Sequence, residues 1–150
     1  MKYRLAVAAA LTLLMSALAV PAANASQITP DDQIAYALAH EPGGYATGAH
    51  TAYWPDLDET MTSSEAITTQ SVGSCGTGSV CAYGGYSLTG AKLSWSSCGT
   101  HSTAALPSTG SIADARSSGS LQARNGSTVV ATAKAGGQAN VWSTVTNVKC

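Results

Sequence analysis

The chain has 150 residues, of which seven are Lys or Arg and eight are Asp or Glu, and its formal net charge is −1 at pH 7. This balance excludes the strongly basic surface that binds nucleic acid. The length predicts one domain with a modest core once an export signal is removed.

Residues 1–25 have the pattern of a secretory signal peptide. Lys2 and Arg4 form a basic start, residues 5–20 are apolar, and Ala23-Asn24-Ala25 is a small-residue cleavage site. A transmembrane anchor is the alternative, but the apolar run is slightly short for a span and leads directly into the cleavage site. We predict cleavage after Ala25, a secreted product and no membrane contact after cleavage.

The charge is divided unevenly along the predicted mature chain. Residues 26–70 carry seven acids and no Lys or Arg, whereas residues 71–150 carry one acid and five bases. Opposite signs favour packing of the two parts against each other or help solubility. A detachable pro-segment is the alternative interpretation of residues 26–70.

A short helix is predicted near the start of this acidic segment. Thr29-Pro30-Asp31-Asp32 is typical of a helix start, and Pro42-Gly43-Gly44 predicts the end of the helix. Further along, Tyr53-Trp54 predicts a short strand. Residues 61–69 are rich in Ser and Thr and are predicted to form a linker.

Residues 71–150 are predicted to form a β-domain. Val80-Cys81-Ala82-Tyr83 is an apolar strand, and Lys92-Leu93-Ser94-Trp95 alternates as a half-buried strand does. Asn125-Gly126 between two β-type runs is a strong hairpin signal, because both turn residues then need positive φ. Residues 141–145 are predicted to form the last strand. About five to seven short strands with regular turns indicate a compact sandwich or Greek-key fold.

The four Cys residues are predicted to form two disulfides, because an exported chain meets an oxidising compartment. Four Cys residues allow three pairings. Cys75 and Cys81 are close enough for a local bridge, and Cys98 with Cys150 would then tie down the C-terminus. A bridge that closes such a long loop contributes about 4 kcal/mol in the chain-entropy account.

The polar residues predict no catalytic or metal-binding arrangement. The acids Asp56, Asp58 and Glu59 form a loop-like cluster, which is more often a solvated face or a weak cation site than a catalytic carboxylate pair. The histidines are also not spaced as metal ligands. They are His40, His50 and His101. We therefore predict that the protein is not an enzyme and uses no metal or cofactor.

Two short motifs are better explained as turns than as processing signals. Leu106-Pro107-Ser108-Thr109-Gly110 matches a sortase sorting signal, but β-type sequence follows it instead of an apolar stretch and a basic tail. The Pro, Ser, Thr and Gly residues predict a turn there. Asn125-Gly126-Ser127 matches an N-glycosylation sequon, and the hairpin turn accounts for the same residues.

The pattern Cys-x5-Cys-x-Tyr at Cys75, Cys81 and Tyr83 is followed by Leu-Thr-Gly-Ala-Lys at positions 88–92. This stretch resembles the actinobacterial metalloproteinase-inhibitor family, small secreted proteins with a βγ-crystallin-like Greek-key fold. Residues 110–116 look like the later part of the same Greek-key unit. The resemblance implies a disulfide-stapled Greek-key sandwich, preceded here by a short N-terminal helix.

The same resemblance implies an inhibitor that blocks the active site of an extracellular protease with a rigid, disulfide-framed loop. We expect the protein to be a monomer. We expect the contact surface to comprise the Cys75–Cys81 loop and the turn that follows it, with the partner-binding loop at Gly84, Gly85, Tyr86, Ser87 and Leu88. The alternative is a non-catalytic structural or cell-envelope-associated protein, which the high Ser and Thr content favours.

Calcium binding, which crystallin-like domains often show, is not predicted. The nearest motif, residues 113–118, supplies one acid, Asp114, and places Arg116 where an oxygen ligand is needed. Calcium requires several oxygen ligands, and this pattern supplies them poorly.

Overall fold

The computed structural model describes residues 28–150, so the predicted signal peptide lies outside the described residues. This part of the chain is mainly β, with one α-helix and eleven strands in two antiparallel sheets. Among these residues, no helix combines the length and the apolar composition that crossing a membrane requires. In chain order the helix and strands are α1 (Asp32–His40), β1 (Tyr45–Gly48), β2 (Thr51–Trp54), β3 (Glu59–Thr62), β4 (Val80–Tyr83), β5 (Lys92–Trp95), β6 (Thr100–Ser102), β7 (Ser111–Asp114), β8 (Ser120–Asn125), β9 (Thr128–Lys134), β10 (Gly137–Asn140) and β11 (Asn147–Lys149).

The larger sheet has seven strands in the order β1-β2-β3-β5-β4-β7-β10. Residues directly opposite one another on antiparallel strands share a face of the sheet. One such row crosses five strands of this sheet, and every side chain in the row is buried. The row is Trp54, Glu59, Trp95, Val80 and Asp114. It lies on the inner face of the larger sheet and includes two buried acids.

The inner face is covered by α1 and by the smaller sheet, whose order is β6-β11-β8-β9. Ile34 of α1 and Leu121 and Val148 of the smaller sheet belong to the same core as Trp54 and Trp95. Burying such a side chain contributes about 1.5–3 kcal/mol. Two facing sheets around one core give a sandwich-like architecture, as the alternating sequence predicts.

A second, smaller cluster covers the outer face of the larger sheet. Cys75, Cys81, Tyr83 and Ala113 are buried there, and Val72 packs against them. The segment before β4 therefore folds back over the sheet. The Cys75–Cys81 disulfide fixes it in place.

Both favoured disulfides are present. Cys75 is bonded to Cys81 and Cys98 to Cys150, so the local and the long-range bridge coexist. The second bridge joins the residues just after β5 to the C-terminus.

The predicted helix is confirmed, and its start has the expected capping chemistry. Asp31 is the N-cap, and its Oδ1 accepts a hydrogen bond from the backbone N–H of Ile34 at 2.9 Å. The predicted strands at Tyr53-Trp54, Val80–Tyr83 and Lys92–Trp95 are confirmed as well.

The predicted hairpin is confirmed, but its turn lies one residue later than expected. Asn125 pairs with Thr128, so the two turn residues are Gly126 and Ser127. Gly126 alone has positive φ, at 59°. A Gly at the first of two turn positions is the requirement of a type II′ turn.

Two predictions of local structure are wrong. Residues 141–145 are not a strand: they belong to neither sheet, and three successive side chains, Trp142, Ser143 and Thr144, are exposed where a strand would alternate, so the last strand is β11. The linker predicted at residues 61–69 begins inside β3, where Met61 is fully buried. The strand count is also higher than expected, since eight strands, β4–β11, follow residue 71.

Candidate functional site

The predicted partner-binding loop, Gly84–Leu88, connects β4 to β5 and carries a short 3₁₀ turn at Tyr86–Leu88. Tyr86 and Ser87 are exposed, and Leu88 is half-buried against the outer cluster. The loop therefore has an exposed tip and an anchored end. It lies directly after a strand that contains one Cys of the local disulfide.

Backbone hydrogen bonds hold this loop closed on itself. The N–H of Gly85 donates to the carbonyl of Thr89 at 2.8 Å, and the N–H of Thr89 donates to the carbonyl of Tyr86 at 3.2 Å. The hydroxyl of Thr89 also donates to the carbonyl of Tyr86 at 2.8 Å.

Side chains from two other strands bind three further backbone groups of the loop. Asn140 Oδ1 accepts from the N–H of Ser87 at 2.8 Å, and Ser111 Oγ accepts from the N–H of Leu88 at 2.9 Å. Ser111 Oγ also donates to the carbonyl of Gly85 at 2.7 Å. Residues of β7 and β10 thus hold the loop in place. Binding a partner would therefore cost little conformational entropy in the loop.

Two residues of the loop have left-handed backbone conformations that side chains rarely adopt. Ser87 has a φ of 53° and Leu88 a φ of 62°. Each such residue costs about 1–3 kcal/mol and persists only where surrounding contacts enforce it. The loop is a tight turn and not an extended segment, so it does not offer a substrate-like strand to a protease cleft.

The exposed tip of the loop carries an aromatic pair that we call the aromatic platform, formed by Tyr86 and Trp142. The two rings stack with centroids 4.5 Å apart and planes 28° apart. Trp142 is 77% exposed and Tyr86 is 49% exposed. Exposed aromatic side chains that are held in place are typical of residues that dominate binding energy in protein interfaces.

A cavity of about 520 Å³ lies beside the aromatic platform. Its walls include Leu106, Ser108, Thr109, Ser143 and Thr144, and no charged residue lines it. Hydroxyl and apolar groups therefore surround the platform, which suits a neutral, partly apolar contact. The sequence gives no signal for the exposure of Trp142, because the β-type residues 141–145 predict a regular strand there.

A second cavity, of about 300 Å³, is lined by acids and lies between the turn before β3, the end of β5 and β6. We call it the acid-lined cavity. Its lining residues are Pro55, Asp56, Leu57, Asp58, Glu59, Trp95, Ser97, Thr100, His101 and Ser102. It includes the predicted acidic cluster, but Glu59 is not on a solvated face, since strand alternation turns it inward beside Met61.

The environment of Glu59 makes its carboxyl group unusual. Burial raises the pKa of Glu59 to about 7, and the charge of Glu41 adds to this rise, while the hydrogen bond from Trp95 opposes it. Trp95 Nε1 donates to Glu59 Oε2 at 2.9 Å. His101 stacks on Trp95 with ring centroids 5.0 Å apart, and burial lowers the pKa of His101.

Comparisons with protein-family models, with curated proteins and with solved structures found no match to this chain. The resemblance to metalloproteinase inhibitors therefore stays a prediction.

The arrangement around His50 does not match a nucleophile–base–acid relay. Nδ1 of His50 lies 2.7 Å from Asp31 Oδ2 and 3.3 Å from Ser63 Oγ. In such a relay the acid and the nucleophile contact different ring nitrogens. His40 stacks on Tyr36 instead of facing an acid. Within residues 28–150, no group of three or more His, Cys, Asp or Glu side chains is placed to hold a metal ion.

The processing-type motifs have structural explanations. Leu106, Thr109 and Gly110 of the sorting-type motif are buried, and the chain bends at Leu106 and Pro107. The sequon lies at the exposed tip of the β8–β9 hairpin.

The calcium-type motif also has a structural role. Asp114 is fully buried and forms a two-pronged ion pair with Arg116, with Nε to Oδ1 at 2.8 Å and Nη2 to Oδ2 at 2.7 Å. Both carboxylate oxygens of Asp114 are thereby committed to the guanidinium group.

Proposed function

We propose that this protein is a secreted, non-catalytic binding protein of the peptidase-inhibitor type. It docks as a monomer on an extracellular protease through the Gly84–Leu88 loop and the adjoining aromatic platform. The observation that carries the proposal is Trp142, which is 77% exposed and stacks on Tyr86, a residue at the tip of a loop that hydrogen bonds from its own backbone and from Ser111 and Asn140 hold in place. A preorganised aromatic anchor gains affinity because little conformational entropy is lost on binding.

The proposal includes the finer fold assignment, a βγ-crystallin-like Greek-key sandwich. Two antiparallel sheets and the local Cys75–Cys81 bridge support it. The resemblance of the Cys-loop sequence to metalloproteinase inhibitors makes metalloproteases the first targets to test. Since the loop is a tight left-handed turn, contact would come from its side chains and not from a strand lying in the cleft.

The test is binding and inhibition of a panel of secreted metallo- and serine proteases by the oxidised protein. We expect Trp142→Ala to weaken the complex by about 30-fold or more, as loss of about 2 kcal/mol from an interface anchor does. Tyr45→Ala is the matched control, because Tyr45 is 54% exposed and lies on the edge strand β1, outside the lining of the platform cavity. Equal affinities of the two variants, or no binding by protein shown to be folded, would contradict the proposal.

A structural role in the cell envelope is the second candidate. The uncharged, hydroxyl-rich lining of the platform cavity favours it, because such a surface also suits an envelope polymer. Retention of the wild-type protein in the cell-wall fraction, lost in Trp142→Ala and without inhibition of any protease, would favour this second function.

A further inference from the structure

The acid-lined cavity carries negative charge that no nearby base balances. Asp56, Asp58 and Glu59 line it, and Glu41 approaches through a hydrogen bond from Ser102 Oγ to Glu41 Oε2 at 2.7 Å. Neither Lys nor Arg lines the cavity. The sequence also contains no Lys or Arg between residues 5 and 91, so the three strands before β4 and the turn beside the cavity offer no basic partner.

None of the basic residues on the neighbouring elements lines this cavity. Lys149 of β11 lies opposite Thr100 and so on the same face of the smaller sheet, but Lys149 is exposed and is not among the lining residues. Arg116 is committed to Asp114. His101 is the one lining residue of the cavity that can become positively charged, and burial lowers its pKa, which favours the uncharged imidazole.

Glu59 lacks a hydrogen-bond donor at one of its two oxygens. Its Oε2 accepts from Trp95, but its Oε1 has no hydrogen-bond partner in residues 28–150, although the side chain is fully buried. Buried polar atoms are nearly always paired, so the unpaired oxygen of a residue that lines a cavity points to a donor bound in that cavity. The missing group is a hydrogen-bond donor, preferably with a positive charge.

We propose that the acid-lined cavity binds a single guanidinium or ammonium group, either an Arg or Lys side chain of a partner protein or a small free cation. Such a group supplies N–H donors and the positive charge that the three lining carboxyl groups lack. A metal ion fits less well, because the described residues hold no suitable ligand cluster. Asp58 Oδ2 already accepts hydrogen bonds from Ser96 Oγ at 2.6 Å and from the N–H of Ser97 at 2.9 Å, so the exposed Asp56 and the other oxygen of Asp58 would hold the cation together with the buried Glu59.

The proposal is independent of the Gly84–Leu88 loop, since none of its residues lines this cavity. It also predicts a coupling to protonation. A bound cation favours the charged form of Glu59, so binding lowers the pKa of Glu59, and ionised Glu59 in turn strengthens binding.

The test uses the indole N–H resonance of Trp95, because this group donates directly to Glu59. N-acetylarginine amide is titrated into the oxidised protein, with N-acetylcitrulline amide as the uncharged match. We expect a saturating shift with the arginine compound and no shift with the citrulline compound. The midpoint of the Glu59 titration is expected to be lower when the arginine compound is bound. If methylguanidinium acts equally well, a free cation suffices; if only the arginine compound binds, a protein side chain is the occupant.

Variants separate the cavity from a general charge effect. Asp56→Asn, at an exposed lining residue, is expected to weaken binding by about threefold, as loss of one exposed ion pair does. Glu59→Gln is expected to remove the pH dependence. Glu65→Gln, whose side chain is 74% exposed and outside the cavity, is the matched control and is expected to change nothing. Equal responses to the arginine and citrulline compounds, no response to either, or equal effects of the Asp56 and Glu65 variants would overturn the proposal.

Discussion

The stability of the fold depends on the protonation of one residue, Glu59. The unfolded chain ionises this carboxyl near its ordinary pKa of 4.5, whereas the folded protein does so near pH 7. The folded state therefore holds a proton between these pH values that the unfolded state has lost. The stabilisation is complete below pH 4.5, is lost as the pH rises to 7, and amounts to about 3 kcal/mol.

The variant Glu59→Gln tests this coupling. We expect the free energy of unfolding of the wild-type protein to fall relative to that of the variant as the pH rises from 4.5 to 7. Urea unfolding at several pH values in this range measures both. Comparing the two proteins removes the opposite contribution of His101, whose lowered pKa makes stability rise with pH near its own titration. A constant difference between wild type and variant across the range would show that Glu59 titrates normally.

The sequence shows where acids and aromatics are, but not which of them become buried together. The alternation Glu59-Thr60-Met61-Thr62 places Glu59 on the face of Met61, and this is visible once the stretch is taken as a strand. Its contact with Trp95 joins residues 36 positions apart and depends on strand pairing that no local pattern specifies. The exposure of Trp142 cannot be predicted for a different reason. Residues 141–145 have the composition of a strand, but they form irregular structure, so the local pattern is misleading there.

At the scale of elements, the position of the Gly84–Leu88 loop depends on close backbone contact with the start of β7. A Cβ atom on Gly110 would lie 2.6 Å from the carbonyl carbon of Gly85 and 2.9 Å from the N–H nitrogen of Tyr86. These are backbone atoms, so the loop would have to shift. At Gly84, by contrast, the nearest atoms would be 3.8 Å away, which is ordinary contact.

We therefore expect Gly110→Ala to displace the loop and to lower the free energy of unfolding by about 1–3 kcal/mol, as overpacking does. Gly84→Ala, in the same loop, is expected to have little effect. Hydrogen exchange of the amides of Ser87, Leu88 and Thr89 measures the displacement, because each donates a hydrogen bond within this region. Similar exchange rates in both variants would mean that the loop does not depend on the contact.

Elements defined by local signals could be predicted, and elements defined by packing could not. The helix has its cap and its stop in the sequence, and the β8–β9 hairpin has its Gly. β1 and β10 show weak local patterns, with Gly and small polar residues, and exist because a neighbouring strand pairs with them. The hydrogen bond from the N–H of Ser87 to Asn140 of β10 therefore could not be predicted from the sequence.

At the scale of the whole molecule, the acidic stretch contributes structure to the larger sheet. β3 pairs with β5 along Glu59–Thr62, so the residues before position 70 and those after it share one sheet. Ile34, Trp54 and Met61 lie in the same core as Leu93 and Trp95. Packing as part of the domain, the first of the two expectations for this segment, accounts for these contacts.

The Cys98–Cys150 disulfide acts on the whole molecule through the unfolded chain. It joins residues 52 positions apart, and closing a loop of this length contributes about 4 kcal/mol in the chain-entropy account. Because Cys98 is exposed and Cys150 is half-buried, replacing both by Ala removes little packing.

We expect the double variant to lose about 4 kcal/mol of unfolding free energy in urea, while a folded sample keeps the loop, the aromatic platform and any protease affinity. A loss below about 1 kcal/mol would show that the unfolded chain gains little freedom without this bridge. A folded variant with impaired protease binding would show that the bridge also shapes the distant loop.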